Sequence, residues 1–468
     1  MRARLVITLL TGWLFPGIIL GAMAGSPGRL VIDTDSLVVR HILFAGNRIT
    51  HESLLRRELP FREGNFLPVG EMEKRLTGGT QNIFNTRLFN HVRIDTLRTA
   101  SRDSIDVKVT VVERWYIWPI PFFEISDRNF NVWWETREIR RLSYGVDLTF
   151  FNVRGRNETL QILLHGGFNQ RYGFTYRFPF LDSRQKVGLG FGWSFDLNHE
   201  VPVATHENKP VFLRNDHVLL KKAINGFAEM VIRPDLYTYH TVRIGWSHNR
   251  LDSSVFHVAG FITEPRAIQD FFTVSYRYRH DRRDVQYYPL TGHCVDVEAG
   301  HTLPSGTARN TWLWTNLRYY RQLAARWYWA SGFTGKLGLF GNPPYLLQRG
   351  LGYGRDIVRG YEYYVIDGRH FALLKNNLKY ALIPRHVHTL DFIHTTKFSE
   401  VPLALYLNLI ADAGYVAGAG GNSLQNRLVA GFGAGVDFVT YYDIVIRAEA
   451  TVNHLFQPGI YLHFVAPI

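Results

Sequence analysis

The segment VGLGFGWSFDL, Val187 to Leu197, alternates without a break. Val187, Leu189, Phe191, Trp193, Phe195 and Leu197 share one face of an extended chain, and Gly188, Gly190, Gly192, Ser194 and Asp196 share the other. The first face suits lipid and the second is too polar for it, so the segment predicts a strand between a bilayer and a wet interior. The same rule repeats near the C-terminus. Leu428, Ala430, Phe432, Ala434, Val436 and Phe438 oppose Gly431, Gly433, Gly435 and Asp437. Ile444, Ile446, Ala448, Ala450 and Val452 then oppose Asp443, Arg447, Glu449 and Asn453. From Trp115 onward, segments of roughly ten residues keep this alternation, which predicts a transmembrane β-barrel of about 16 antiparallel strands over residues 115–468. Closure would leave no strand edge facing lipid.

Composition agrees and excludes other classes. Among 468 residues are 67 aromatics (Trp 11, Tyr 24, Phe 32) and 41 glycines, which rules out a disordered chain. After residue 20 no apolar run is long enough for a membrane-spanning helix. The single cysteine, Cys294, gives neither a disulfide framework nor a cysteine-ligated zinc site. Connections predict sidedness: short turns at 153–156, 182–184, 234–235 and 440–442 alternate with longer loops near 126–141, 198–209, 250–269 and 340–369.

Residues 1–24 read as a signal peptide. Arg2 and Arg4 precede an apolar stretch from Leu5 to Leu20, and Ala22-Met23-Ala24 supplies the small residues a peptidase needs before Gly25. An exported chain weakens the alternative of a soluble β-sandwich. It also weakens nucleic acid as a partner, despite a net charge of +13, because the charges are scattered. Residues 37–114 follow another pattern. Val38–Phe44 reads as a strand, His51–Leu59 and Val69–Asn85 as helices with Leu76, Ile83 and Phe84 at helical spacing, and Leu88–Leu97 and Ile105–Val112 as a hairpin. This predicts one small β-α-α-β-β domain ahead of the barrel.

The longest connection contains Gly350-Leu351-Gly352-Tyr353-Gly354-Arg355-Asp356-Ile357-Val358-Arg359-Gly360-Tyr361. Its Val358, Arg359, Gly360 and Tyr361 resemble the signature of the Omp85 superfamily, of the bacterial surface antigen D15 type. Ala411-Asp412-Ala413-Gly414 looks like that family's Asp-x-Gly element, and Gly46-Asn47, Thr86-x-Leu88-Phe89 and Val109-x-Val111-x-Glu113 resemble a POTRA domain. The resemblance implies a loop folded into the barrel lumen, with Arg359 meeting Asp412 beside Gly414. By period two, Leu403, Leu405, Leu407 and Leu409 face lipid while Tyr406, Asn408 and Asp412 face the lumen, where Asp412 needs a cation. Lys379 stands where the family pattern resembles Leu-Glu-aromatic; it would repel Arg359 unless Asp412 bridges both, which predicts a lock that is weaker or differently arranged. Gln457, Gly459, Leu462 and Phe464 match the polar-x-Gly-x-x-apolar-x-aromatic β-signal of barrel proteins.

Other chemistry is thin. His386, His388, Asp391 and His394 form a cluster in a short connection without a fixed third metal ligand. His165 and Ser194 point inward without a context that pairs them, and His280-Asp281-Arg282-Arg283-Asp284 reads as a solvated charge cluster. No phosphate-binding loop, nucleophile elbow or zinc motif is present, so no catalytic residue, metal or cofactor is assigned.

The resemblance implies a non-enzymatic function: insertion or translocation of polypeptide at a bacterial outer membrane. The resemblance implies a periplasmic POTRA domain receiving substrate by β-augmentation on an exposed edge, Leu88–Leu97 or Val38–Phe44. The expected partners are the outer-membrane bilayer, unfolded or nascent polypeptides and periplasmic accessory proteins. In the family's insertases the first and last strands part, and Pro119, Pro121 and Pro458 near that seam would weaken closure. A dedicated secretion pore or a porin-like channel is the alternative.

Overall fold

The computed structural model describes residues 36–101, 103–125, 141–304, 309–341, 343–390, 393, 395–418 and 421–464. The leader over 1–24, most of the 126–141 connection, Asp391, His394 and the chain beyond Phe464 lie outside the described residues.

The N-terminal domain runs β1 (Ser36–Ala45), α1 (Glu52–Glu58), β2 (Phe66–Pro68), α2 (Val69–Asn85), β3 (Phe89–Arg98) and β4 (Ser104–Glu113). Its sheet has the order β2-β1-β4-β3, with β1 and β4 parallel. Leu54, Leu55 and Ile83 from the helices pack on Val39, Val107 and Val109 of the sheet, which is the apolar stripe expected of half-buried helices. Strand β2 is an addition to the expected pattern, being too short to show a period. It pairs with Ser36–Val38, and the chain leading into it covers more of β1: Gly64 N–H donates to the Val39 carbonyl at 2.8 Å and Val39 N–H to Asn65 at 3.0 Å. The proposed edge at Val38–Phe44 is thus occupied at Val38 and Val39, and β3 is the outer strand at the other side of the sheet.

From β5 (Ile117–Ile125) to β22 (Pro458–His463) the chain builds a 16-stranded antiparallel sheet in sequence order. The departures are β10 (Glu200–His206) and β11 (Lys209–Arg214), a separate hairpin where a plain loop near 198–209 was expected. Side-chain exposure follows the predicted period. On β9 (Val187–Asn198), Leu189, Phe191 and Trp193 are exposed while Gly188, Gly190, Gly192 and Ser194 are buried. The asymmetry of the connections is less strict than expected, because Phe168-Asn169 and 454–457 are tight turns at the end where long loops predominate.

Strands β5 and β22 do not pair among the described residues, so the expected closure is not seen there. Backbone alternation supplies the reason. Phe151 N–H donates to the Tyr116 carbonyl at 2.7 Å, ahead of the Ile117↔Phe150 pair that begins β5 and β6 (Leu142–Val153). Tyr116, Trp118, Ile120 and Phe122 therefore turn their backbone groups toward β6, and Ile117, Pro119, Pro121 and Phe123 turn theirs toward the seam. At the other edge, Asn453 N–H donates to the Gln457 carbonyl at 3.2 Å, which leaves Pro458, Ile460 and Leu462 facing the seam. All three prolines thus occupy positions that would donate across the gap, and none has an N–H to give.

The N-terminal domain docks on the short turns of one barrel end. Arg233 donates to both carboxylate oxygens of Glu58 at 2.7 and 2.8 Å. Arg114 does the same to Asp443 at 2.7 and 2.9 Å. His51 N–H reaches the Gly155 carbonyl at 3.0 Å, Asn85 is bonded on both sides by the 282–291 turn, and Asn90 donates to the Lys397 carbonyl at 2.9 Å. Burial alone would lower the Arg233 pKa, but the Glu58 carboxylate holds it above the ordinary arginine value. Burial and the Arg233 charge pull neighbouring Arg57 down to about 10, so both remain cations at neutral pH. The charge cluster at 280–284 is not solvated as expected: Asp281 and Arg283 pair at 2.6 Å and are nearly buried. At the far end, Val201, Val203, Val255, Phe261 and Ile262 from the hairpin and the 252–267 loop form a shared core with Tyr345 and Leu346.

Candidate functional site: the infolded loop

The loop between β17 (Trp327–Phe340) and β18 (His370–Thr389) turns into the lumen. Its neck is a two-bond bridge between Leu351 and Ile366 at 3.0 and 2.8 Å. Leu351, Val358, Tyr361 and Ile366 pack on Phe371, Leu373, Val416 and Val429 from the barrel wall, so the loop brings its own apolar anchor. Arg359, at the tip, is 1% exposed. Its Nε donates to Asp412 Oδ2 at 2.7 Å, its Nη2 to Asp412 Oδ1, and its backbone N–H to Asp412 Oδ2 at 3.1 Å. A two-pronged pair of this kind fixes the guanidinium in direction as well as position.

Asp412 and Gly414 lie on β19 (Glu400–Ala417), and both meet the loop. A Cβ on Gly414 would stand 2.6 Å from Val358 Cγ2. Gly431 on β20 (Leu428–Val439) makes the closer approach, since a Cβ there would overlap the Arg359 carbonyl oxygen. Of the alternating glycines on β20, Gly431 thus provides a seat for the loop, while Gly433 and Gly435 lie against β21. Gly360 has φ +94°, a backbone setting that favours glycine, and lets the chain turn from Arg359 to Tyr361.

Lys379 is not part of this arrangement. It is buried on the inner face of β18, as expected, but its ammonium lies 4.2 Å from the Tyr288 ring centroid. Tyr288 donates to Asp437 at 2.7 Å, and Asp437 is paired with Arg447 at 2.5 and 2.6 Å. The expected bridge through Asp412 is replaced by two separate clusters. Asn377, two residues earlier on the same face, takes the place assigned to Lys379 and accepts Arg359 Nη1 at 2.7 Å. Lys375 reaches the loop too, donating to the Arg355 carbonyl at 3.4 Å. The strand register decides this: Lys375 stands opposite Asp412, and Lys379 opposite Asn408.

The loop also holds the last hairpin, β21 (Val445–Asn453) and β22. Asn453 Nδ2 donates to the Gly360 carbonyl at 3.0 Å, Tyr361 OH bonds the His454 ring, and Tyr364 OH donates to Gln457 Oε1 at 2.9 Å. Of the predicted β-signal, Gln457 is thereby tied to the loop and Gly459 faces inward. Leu462 and Phe464 stand exposed on the outer face. The alternation places Asn453 on the lumen face without its partner, His454 carries no sequence signal, and only the folded register joins them to the loop.

The remaining candidates separate. His386 and His388 lie within β18, not in a connection, with ring centroids 4.5 Å apart on an exposed surface. His165 bonds Asp147 at 2.6 Å and stacks on Phe122, while Ser194 bonds Asp196 at 3.1 Å; the two do not meet.

A transmembrane β-barrel with a small docked domain and an arginine-tipped loop in its lumen is the class this geometry defines. Residues 37–114 match the POTRA family model, described as surface antigen variable number repeat. No curated protein sequence matches the chain. CdiB from Escherichia coli is similar in structure over 90% of this chain and 75% of that one, at 13% identity and a TM-score of 0.52. BamA from Haemophilus ducreyi lacking POTRA domains 1–3 matches over 92% and 83%, at 15% identity and a TM-score of 0.48. The chain accordingly carries a POTRA-type domain at residues 37–114, followed by a barrel similar in fold to that of CdiB.

Proposed function

We propose that this protein inserts or translocates polypeptide at a bacterial outer membrane, with its POTRA domain in the periplasm. The observation that carries the reading is the unpaired seam between β5 and β22, whose edges are stripped of donors at Pro119, Pro121 and Pro458. A substrate strand finds there two open backbone edges beside lipid, with N–H donors left at Ile117, Phe123, Ile460 and Leu462, onto which it can add. The β3 edge of the POTRA domain, clear of the barrel beyond His91, receives an extended segment first. The infolded loop grips β19 through Asp412 and the last hairpin through Asn453 and Gln457, keeping the β22 side in position while the seam works. No chemical step is required, and neither a catalytic group nor a cofactor enters.

A dedicated secretion pore is the second reading. It requires the POTRA domain to leave the barrel end on which it docks. Depletion of the protein followed by quantitative mass spectrometry of outer membranes tests the proposal. At least one outer-membrane or surface polypeptide should fall, and a chain lacking residues 37–114 should fail to restore it. An unchanged polypeptide profile, or full rescue by the shortened chain, would overturn it.

A further inference from the structure

The infolded loop and the inner face of the last hairpin bring together three ligand-type side chains that the loop's arginine does not use. Glu362 comes from the infolded loop, Glu449 from β21 and His463 from β22, and their ligand atoms all lie within 4.8 Å of one another. Glu449 is 2% exposed. Its Oε1 meets His463 Nε2 at 3.0 Å, and its buried Oε2 has no hydrogen-bond partner among the described residues. Glu362 takes the Gly360 N–H on Oε2 at 2.9 Å and keeps Oε1 buried. Two carboxylates this close repel when both are charged, and a buried oxygen without a donor keeps its desolvation cost. A single cation among the three groups removes both penalties.

We propose that Glu362, Glu449 and His463 form a divalent-cation site. One imidazole and two carboxylates are the donor set of zinc, and three protein ligands leave room for water in the fourth position. Small side-chain rotations bring the ligand atoms to the roughly 2.0–2.2 Å bonds zinc makes with nitrogen and oxygen. The ligands come from the loop and from both strands of the last hairpin, so the ion fastens β22 to the loop. Its effect on the seam rests on the proposed function; the binding itself does not.

The test is a Zn2+ titration of the full refolded chain in detergent by calorimetry, with Co2+ absorption as a second reading of nitrogen and oxygen ligation. The parent carries His386→Ala and His388→Ala, which removes the exposed imidazole pair. One equivalent of Zn2+ should bind, and both His463→Gln and Glu449→Gln should abolish it. His463 is partly exposed, so its variant should keep the heat-modifiable gel migration of a folded barrel. Absence of Zn2+ binding by the parent, or unchanged binding by folded His463→Gln, would overturn the proposal.

Discussion

Asp412→Ala is expected to free the infolded loop and abolish function, while Lys379→Ala leaves most of it. Asp412 answers three donors of Arg359 in a site where both side chains are essentially inaccessible. Its removal strands a guanidinium among apolar neighbours, and breaking a buried pair from one side costs about 3–5 kcal/mol. The apolar anchor of Leu351, Val358, Tyr361 and Ile366 remains, so the release is centred on the tip at Arg359. Lys379 has no hydrogen-bond partner among the described residues, and its contact with the Tyr288 ring is worth on the order of 1–2 kcal/mol. Trypsin cleavage at Arg355 and Arg359, measured beside substrate assembly, reports the release. Gly431→Val should reproduce the phenotype without touching a charge, because the new side chain occupies the place of the Arg359 carbonyl. Wild-type behaviour of both Asp412→Ala and Lys379→Ala would sink the loop's proposed role.

Arg233→Ala should undock the POTRA domain from the barrel end. Arg233 and Glu58 are 11% and 5% exposed and bonded through both oxygens, so the variant leaves Glu58 buried and unpaired. The expected cost is again about 3–5 kcal/mol, set against remaining contacts at Arg114, Asn85 and Asn90. Opening of that end should raise single-channel conductance in planar bilayers and quicken proteolysis at Arg114. Replacing both partners with leucine should recover much of the loss, since most of the penalty belongs to the stranded carboxylate. Unchanged conductance and proteolysis in Arg233→Ala would show that this pair does not hold the domain.

The sequence is most legible where structure repeats. Alternation of Val187 to Leu197 gives a strand and its two faces because lipid and lumen impose opposite demands on neighbouring residues. Helical spacing gives α1 and α2 for the same kind of reason, whereas β2 is too short to show any. Arg359 and Asp412 are legible as a pair through the resemblance of their motifs to the Omp85 superfamily, to which the period of two adds that Asp412 faces the lumen. Lys379 misleads because facing the lumen fixes a side but not a height along the strand. Its displacement from Asn377 is two residues, which leaves the face unchanged and alters every partner. The docking pairs Glu58–Arg233 and Arg114–Asp443 join residues far apart in sequence, and no local pattern marks them.

The seam is the part of the account from which function follows, and photo-crosslinking in the native membrane tests it most directly. A photoreactive residue at Phe123 on β5 and at Leu462 on β22 stands at the two open edges; one at Leu189 on β9 faces lipid away from them. Light should join substrate polypeptide to the protein at Phe123 and Leu462 and leave Leu189 without adducts. Adducts at Leu189 equal to those at the seam, or none at either seam position, would contradict strand addition between β5 and β22.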